Sequence, residues 1–205
     1  MDLKKENNRS VFLILAAAIL ICSGFQLGFE SLPSWIEAGV SGAVSLILSA
    51  VLHMLSNLLG HNIKHKLVFT RVSNEMPGNR CNTLCMKDPR IDMEVVGTRW
   101  PDVFSEETSA SDRNSRWYRC IYKGVKDAPE VLQAHRNFLL YRDVFSGLIG
   151  VALIVLGWSL WGPEDLFGAI KTSVYVVLGV FALVSMIAAR NAGNRFVVNA
   201  VAAAI

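Results

Sequence analysis

Four uncharged stretches limit what this chain can become. Residues 11–29, 38–60, 144–161 and 172–189 hold 19, 23, 18 and 18 residues without one Asp, Glu, Lys or Arg. A helix rises 1.5 Å per residue and the hydrocarbon core of a bilayer is about 30 Å thick, so about 20 such residues cross it. Each stretch is predicted to span as a helix. Composition agrees, with 52% apolar and only 18% charged residues, against roughly 25% charged in soluble domains. The first stretch follows Lys4, Lys5 and Arg9. It is longer than the ~7–15-residue apolar region of a secretory signal, and the exit FESLPSWIE lacks a small-residue cleavage site, so a retained anchor is expected.

Lys and Arg set the expected orientation. Three precede the first span, 14 lie in residues 61–142, and Arg190 and Arg195 follow the fourth span. The short connections instead hold Glu30, Glu37, Glu164 and Asp165, with Lys171 beside the second. The positive-inside rule then puts both termini and the long central segment in the cytoplasm. The compact multi-pass plan points to a bacterial inner membrane.

The predicted fold class is an α-helical membrane protein with four transmembrane helices as two hairpins and a small mixed α/β cytosolic insert between spans two and three. The expected boundaries are 1–60 for the first hairpin, 61–127 for a β-rich insert, 128–189 for a cytosolic helix continuing into the second hairpin, and 190–205 for a C-terminal tail or interfacial helix. Within the insert, KLVFTRV (66–72), IDMEVVGTRW (91–100) and RWYRCIYKGV (116–125) are rich in β-branched and aromatic residues between turn formers, which is a strand signature. PDVFSEETSASDRNS (101–115) reads as a mobile loop. From Ala128 no proline other than Pro129 interrupts the chain before Trp161. One helix of about 34 residues, roughly 50 Å, is expected to join cytosol to bilayer. Phe138, Tyr141 and Arg142 lie on it as the coupling segment between insert and third span.

The residue chemistry is sparse. Cys81 and Cys85, with Cys120 and His61, His65 or His135, have ligand types suited to zinc, but only the C-x₃-C pair is patterned, and reduced thiols packed as small apolar groups are the favoured reading. No metal and no cofactor is expected. Arg80, Lys87, Arg90, Arg116, Trp117, Arg119, Tyr122 and Lys123 form a basic and aromatic group able to pair with phosphate and stack on rings, as a nucleotide-like ligand or lipid phosphate would require. Juxtamembrane cations also set topology and touch anionic lipid without any dedicated site. His53 and Asn57, four apart on one face of the second span, are candidate pore-lining or intramembrane polar residues. Ala38 with Gly42, Ser45 with Ser49, and Ser146 with Gly147 and Gly150 provide small-residue spacing for close helix packing.

No nucleophile elbow, P-loop, HExxH or dinucleotide fingerprint is present, so no enzymatic activity is expected. Two readings remain. In the first, the chain is an oligomeric sensor–effector whose cytosolic domain gates a pore or perturbs the membrane. Small bacterial stress and phage-defence membrane proteins share this plan by analogy of architecture alone. In the second it is a scaffold recruiting a protein partner without conduction. The expected partners are the bilayer, further copies of the chain as a homo-oligomer, and a cytosolic protein or nucleotide-like ligand. Nucleic acid is not expected.

Overall fold

The computed structural model describes residues 3–31, 42–163 and 168–205. Residues 38–41 of the second uncharged stretch, Ala38 of the small-residue spacing, and Glu37, Glu164 and Asp165 of the two connections lie outside them. Among the described residues the longer elements are all helices: α1 (Leu3–Leu27), α2 (Gly42–Asn57), α3 (His61–Phe69), α4 (Cys81–Cys85), α5 (Met93–Arg99), α6 (Pro101–Phe104), α7 (Ala110–Trp117), α8 (Lys123–Val125), α9 (Pro129–Trp161) and α10 (Thr172–Ala202). The chain forms two compact units, one of Met1–Lys64 with Leu140–Ile187 and one of His65–Leu139 with Ala188–Ile205. Their boundaries fall inside α3, α9 and α10.

The first unit holds an aliphatic core. Val11, Leu15, Ala18 and Cys22 recur at helical spacing along α1 and are buried with Leu52 of α2, Val144, Leu148 and Val151 of α9, and Val174 and Leu178 of α10. Small residues allow this approach: a Cβ on Gly147 would fall 2.5 Å from Leu15 Cδ1. The end of α1 is set by Gly28, whose φ of +97° suits glycine and whose N–H donates to the Gly24 carbonyl at 2.9 Å. One amide ties the ends of two helices. Gln26 Nε2 donates to the Ala169 carbonyl at 3.0 Å, and its Oε1 accepts from Lys171 N–H at 2.9 Å.

Among the described residues three helices, not four, are long and apolar enough to cross a membrane: Glu6–Leu27 within α1, then α9 and α10. This is compatible with a membrane protein and corrects the four-span expectation. The second stretch yields a described helix of 16 residues, about 24 Å long. Its C-terminal end has a local cause. Ser56 Oγ and Asn57 Nδ2 both donate to the His53 carbonyl at 2.9 Å, and Leu58 N–H bonds back only three residues to Leu55. Polar side chains competing for backbone carbonyls close the helix before Gly60. An uncharged run is therefore not one helix here.

The second unit overturns the α/β insert. No strand is present among the described residues. KLVFTRV supplies the last turn of α3, closed by Thr70 at φ +50°. IDMEVVGTRW contains α5, whose N-cap Asp92 accepts from Glu94 N–H at 2.9 Å. RWYRCIYKGV runs from α7 through a π-helical turn, Tyr118–Tyr122, into α8. The β-branched and aromatic content gave the wrong period. Arg113, Trp117 and Ile121 are buried at four-residue spacing while Tyr118 is exposed, a helical and not an alternating pattern. Residues 101–115, read as a loop, hold α6, with Pro101 at its first position, and the start of α7. Ser109 caps α7, its Oγ accepting from Asp112 N–H at 3.2 Å and donating to Asp112 Oδ2 at 2.8 Å.

This unit's core joins Cys81, Cys85, Val96, Val103, Trp117 and Ile121 to Val131 and Ala134 of α9 and to Phe196, Val197 and Val201 of α10. Residues 190–202 continue α10 without a break.

Candidate functional site

The most concentrated buried charge in the first unit lies where α9 turns from polar to apolar sequence. Arg142 and Asp143 close the polar part of the helix, and the uncharged run begins at Val144. Both are buried, as is Lys64 of α3. The Lys64 ammonium donates to Asp143 Oδ1 at 2.8 Å and to the Ser56 carbonyl at 2.6 Å. Arg142 Nε and Nη2 donate to the same carboxylate at 3.0 and 3.2 Å. One acid thus takes two cations. The ammonium also meets a carbonyl near the C-terminal end of α2, the negative end of that helix. Desolvating three charges costs several kcal/mol per ion and is offset only by close pairing and filled hydrogen bonds. Such a group holds α2, α3 and α9 in one arrangement and penalises any motion that separates them. It is a latch between three helices.

His53 and Asn57 are exposed on α2. They contact each other, Asn57 Nδ2 lying 3.4 Å from His53 Nε2. His53 borders an open groove of about 610 Å³ in which Asn8, Arg9, Ser49 and Ser56 alternate with Val11, Phe12, Ala50 and Leu52.

The basic and aromatic group of the second unit is distributed. Trp117 belongs to the core, stacked on Tyr122 at 5.7 Å and edge-on to Phe196 at 5.3 Å. Tyr122 is hydrogen-bonded to His135 Nδ1 at 3.1 Å, and His135 stacks on Phe196 at 4.4 Å. Burial pushes the Tyr122 phenol up, with Tyr118 and Asp127 adding to the shift. Arg119 and Lys123 share an open groove of about 580 Å³ with Asn114, Ser115 and Tyr118. Arg116 faces Asp102 at 3.5 Å. Arg90 grips Asp88 through two nitrogens at 2.9 Å and donates to Asn199 at 3.0 Å. That contact holds the Asp88 carboxyl below its ordinary value. Lys87 is exposed. Arg80 lies over the Phe69 ring, 4.8 Å from its centre.

Of the coupling residues, Phe138 is buried in the second unit against His65 at 5.6 Å and Phe69 at 5.9 Å. Tyr141 is half-buried, and Arg142 belongs to the latch. Lys64 and Asp143 were not singled out from sequence. The available signal was Asp143 itself, a carboxylate at the edge of an uncharged run. Arg113 was missed too. It is buried and donates to the carbonyls of Val103, Ser105 and Thr108 at 3.0, 3.1 and 2.7 Å.

Cys81 and Cys85 are fully buried, and burial pushes both thiols up to about 12. At neutral pH they are packing groups in thiol form, poor metal ligands. Among the described residues no three His, Cys, Asp or Glu side chains gather to hold a metal ion.

Comparison with known protein families, characterised proteins and solved structures finds no match.

Proposed function

We propose that this chain is a non-enzymatic sensor–effector of a bacterial inner membrane, in which the second unit faces the cytosol, receives a signal and changes the packing of the membrane helices. The observation that supports this most is the latch on α9. The same helix supplies Val131 and Ala134 to one core and Val144, Leu148 and Val151 to the other. A buried ion group at the junction of these two stretches gives two discrete states, paired or separated, rather than a continuum. Shifting α9 would exchange one for the other. Copies of the chain then assemble around a shared path, because one chain of this size encloses little space, with His53 and Asn57 facing it.

The test is potassium efflux and dye entry in cells producing the chain. The effector reading expects leak that is lost with His53→Leu or Asn57→Leu at equal membrane abundance. A scaffold that recruits a protein partner is the competing reading, favoured by the open polar groove around Arg119 and Lys123. It expects no leak from any variant.

A further inference from the structure

The second unit contains three arginines gathered about the end of α3, and among the described residues none of them meets a carboxylate. Arg190 of α10 donates through Nε and Nη2 to the Val68 carbonyl at 3.2 and 3.1 Å and through Nη2 to Thr70 Oγ1 at 2.9 Å. One turn further along α10, Asn194 Oδ1 accepts from Arg80 Nη2 at 3.4 Å, and the Arg80 guanidinium covers the Phe69 ring. Arg71 follows directly after Thr70 and is exposed. Its backbone N–H is used, donating to the Lys66 carbonyl at 3.0 Å. Its guanidinium has no bond to a described residue.

Neutral groups orient two of these cations but cancel none of their charge. The cost is visible at Arg80, whose pKa is lowered first by burial and then by the positive charges of Arg71 and Arg190. Elsewhere in the same unit Arg90 pairs with Asp88 and Arg116 with Asp102, while Arg99 and Arg119 stand singly and donate to the carbonyls of Ile205 and Ser115. Like charges held together without an acid are destabilising unless an anion joins them. Guanidinium groups suit a phosphate, whose several oxygens can pair with more than one cation at once.

We propose that Arg71, Arg80 and Arg190 form a binding site for a phosphate group, carried either by an anionic lipid or by a soluble phosphate compound. The site supplies a ligand class for the sensing unit, yet it does not rest on conduction. A chain that binds phosphate and never leaks would retain this site and lose the pore.

The experiment uses the full chain in nanodiscs. One arm follows binding of pyrophosphate by calorimetry in phosphatidylcholine discs. The other follows retention of phosphatidic acid or phosphatidylglycerol by native mass spectrometry. Arg71→Gln is the first variant, since that side chain holds no part of the fold. Arg80→Gln is the second, and Lys126→Gln is the control, removing the same charge from an exposed position. Saturable binding in either arm, weakened about tenfold by Arg71→Gln or Arg80→Gln and less than twofold by Lys126→Gln, supports the site. Binding confined to the lipid arm assigns it to a headgroup, and binding confined to the soluble arm assigns it to a free ligand. No saturable binding in either arm, or equal losses for Arg71→Gln and Lys126→Gln, overturns it.

Discussion

The two units bury cations by opposite means. In the first, Lys64 and Arg142 share one buried carboxylate, beside a core of aliphatic side chains. In the second, Arg113 is surrounded by three carbonyl oxygens, and Arg190 and Arg80 by a carbonyl, a hydroxyl, an amide and a ring. Dipoles satisfy donors without cancelling charge. In the first unit two cations meet on one acid, whereas in the second the load is spread over many neutral acceptors. That difference makes the first unit suited to switching and the second to attracting an anion.

Removing the shared acid has the largest expected effect. Asp143→Asn removes the carboxylate that the buried Lys64 and Arg142 share and is expected to cost about 3–5 kcal/mol, read from denaturant titration in lipid discs. In the second unit Arg113→Met removes the donor from three carbonyls but strands no charge. The expected loss is smaller, roughly 1–3 kcal/mol. Equal losses at the two sites would erase the contrast between charge pairing and dipole pairing.

The thiols sharpen the comparison at high pH. Cys81 and Cys85 titrate near 12 in the fold instead of at their ordinary value of 9.0, so their thiolate fraction at pH 8 is roughly a thousandfold below that of a free thiol. Alkylation at pH 8 should modify exposed Cys120 and spare both. Because the folded pKa values are raised, the contribution of these thiols to stability is fully present below pH 9 and is lost as pH climbs toward 12. Replacing both by Ala should flatten that alkaline decline, and an unchanged decline would place its origin elsewhere. Smallest of all, Ser109→Ala removes the cap of α7 and should cost about 1 kcal/mol, seen as faster amide exchange confined to residues 110–117.

The long helices were legible because length and lack of charge leave few alternatives, and α9 could be traced from Pro129 to Trp161. The second unit was not, although its signals were present. Asp92 two residues before Glu94, Pro101 opening a turn, and Ser109 three residues before Asp112 are helix starts, and they were outweighed by Val, Ile, Tyr and Trp content. Composition reports which residues favour a half-buried surface, and only spacing tells whether that surface is a helix or a strand. The end of α2 at Asn57 depended on Ser56 and Asn57 turning back on His53, a contact that a count of uncharged residues does not contain. The latch was the least legible feature. Lys64 and Asp143 stand 79 residues apart, and nothing local to either names the other.

A path formed between copies of the chain is the central proposal, and particle mass in nanodiscs tests it most directly because it needs no ligand. Native mass spectrometry is expected to find a closed assembly of three or more chains, retained in His53→Leu even where leak is lost. A monodisperse single chain would contradict the shared path and leave the docking role in its place.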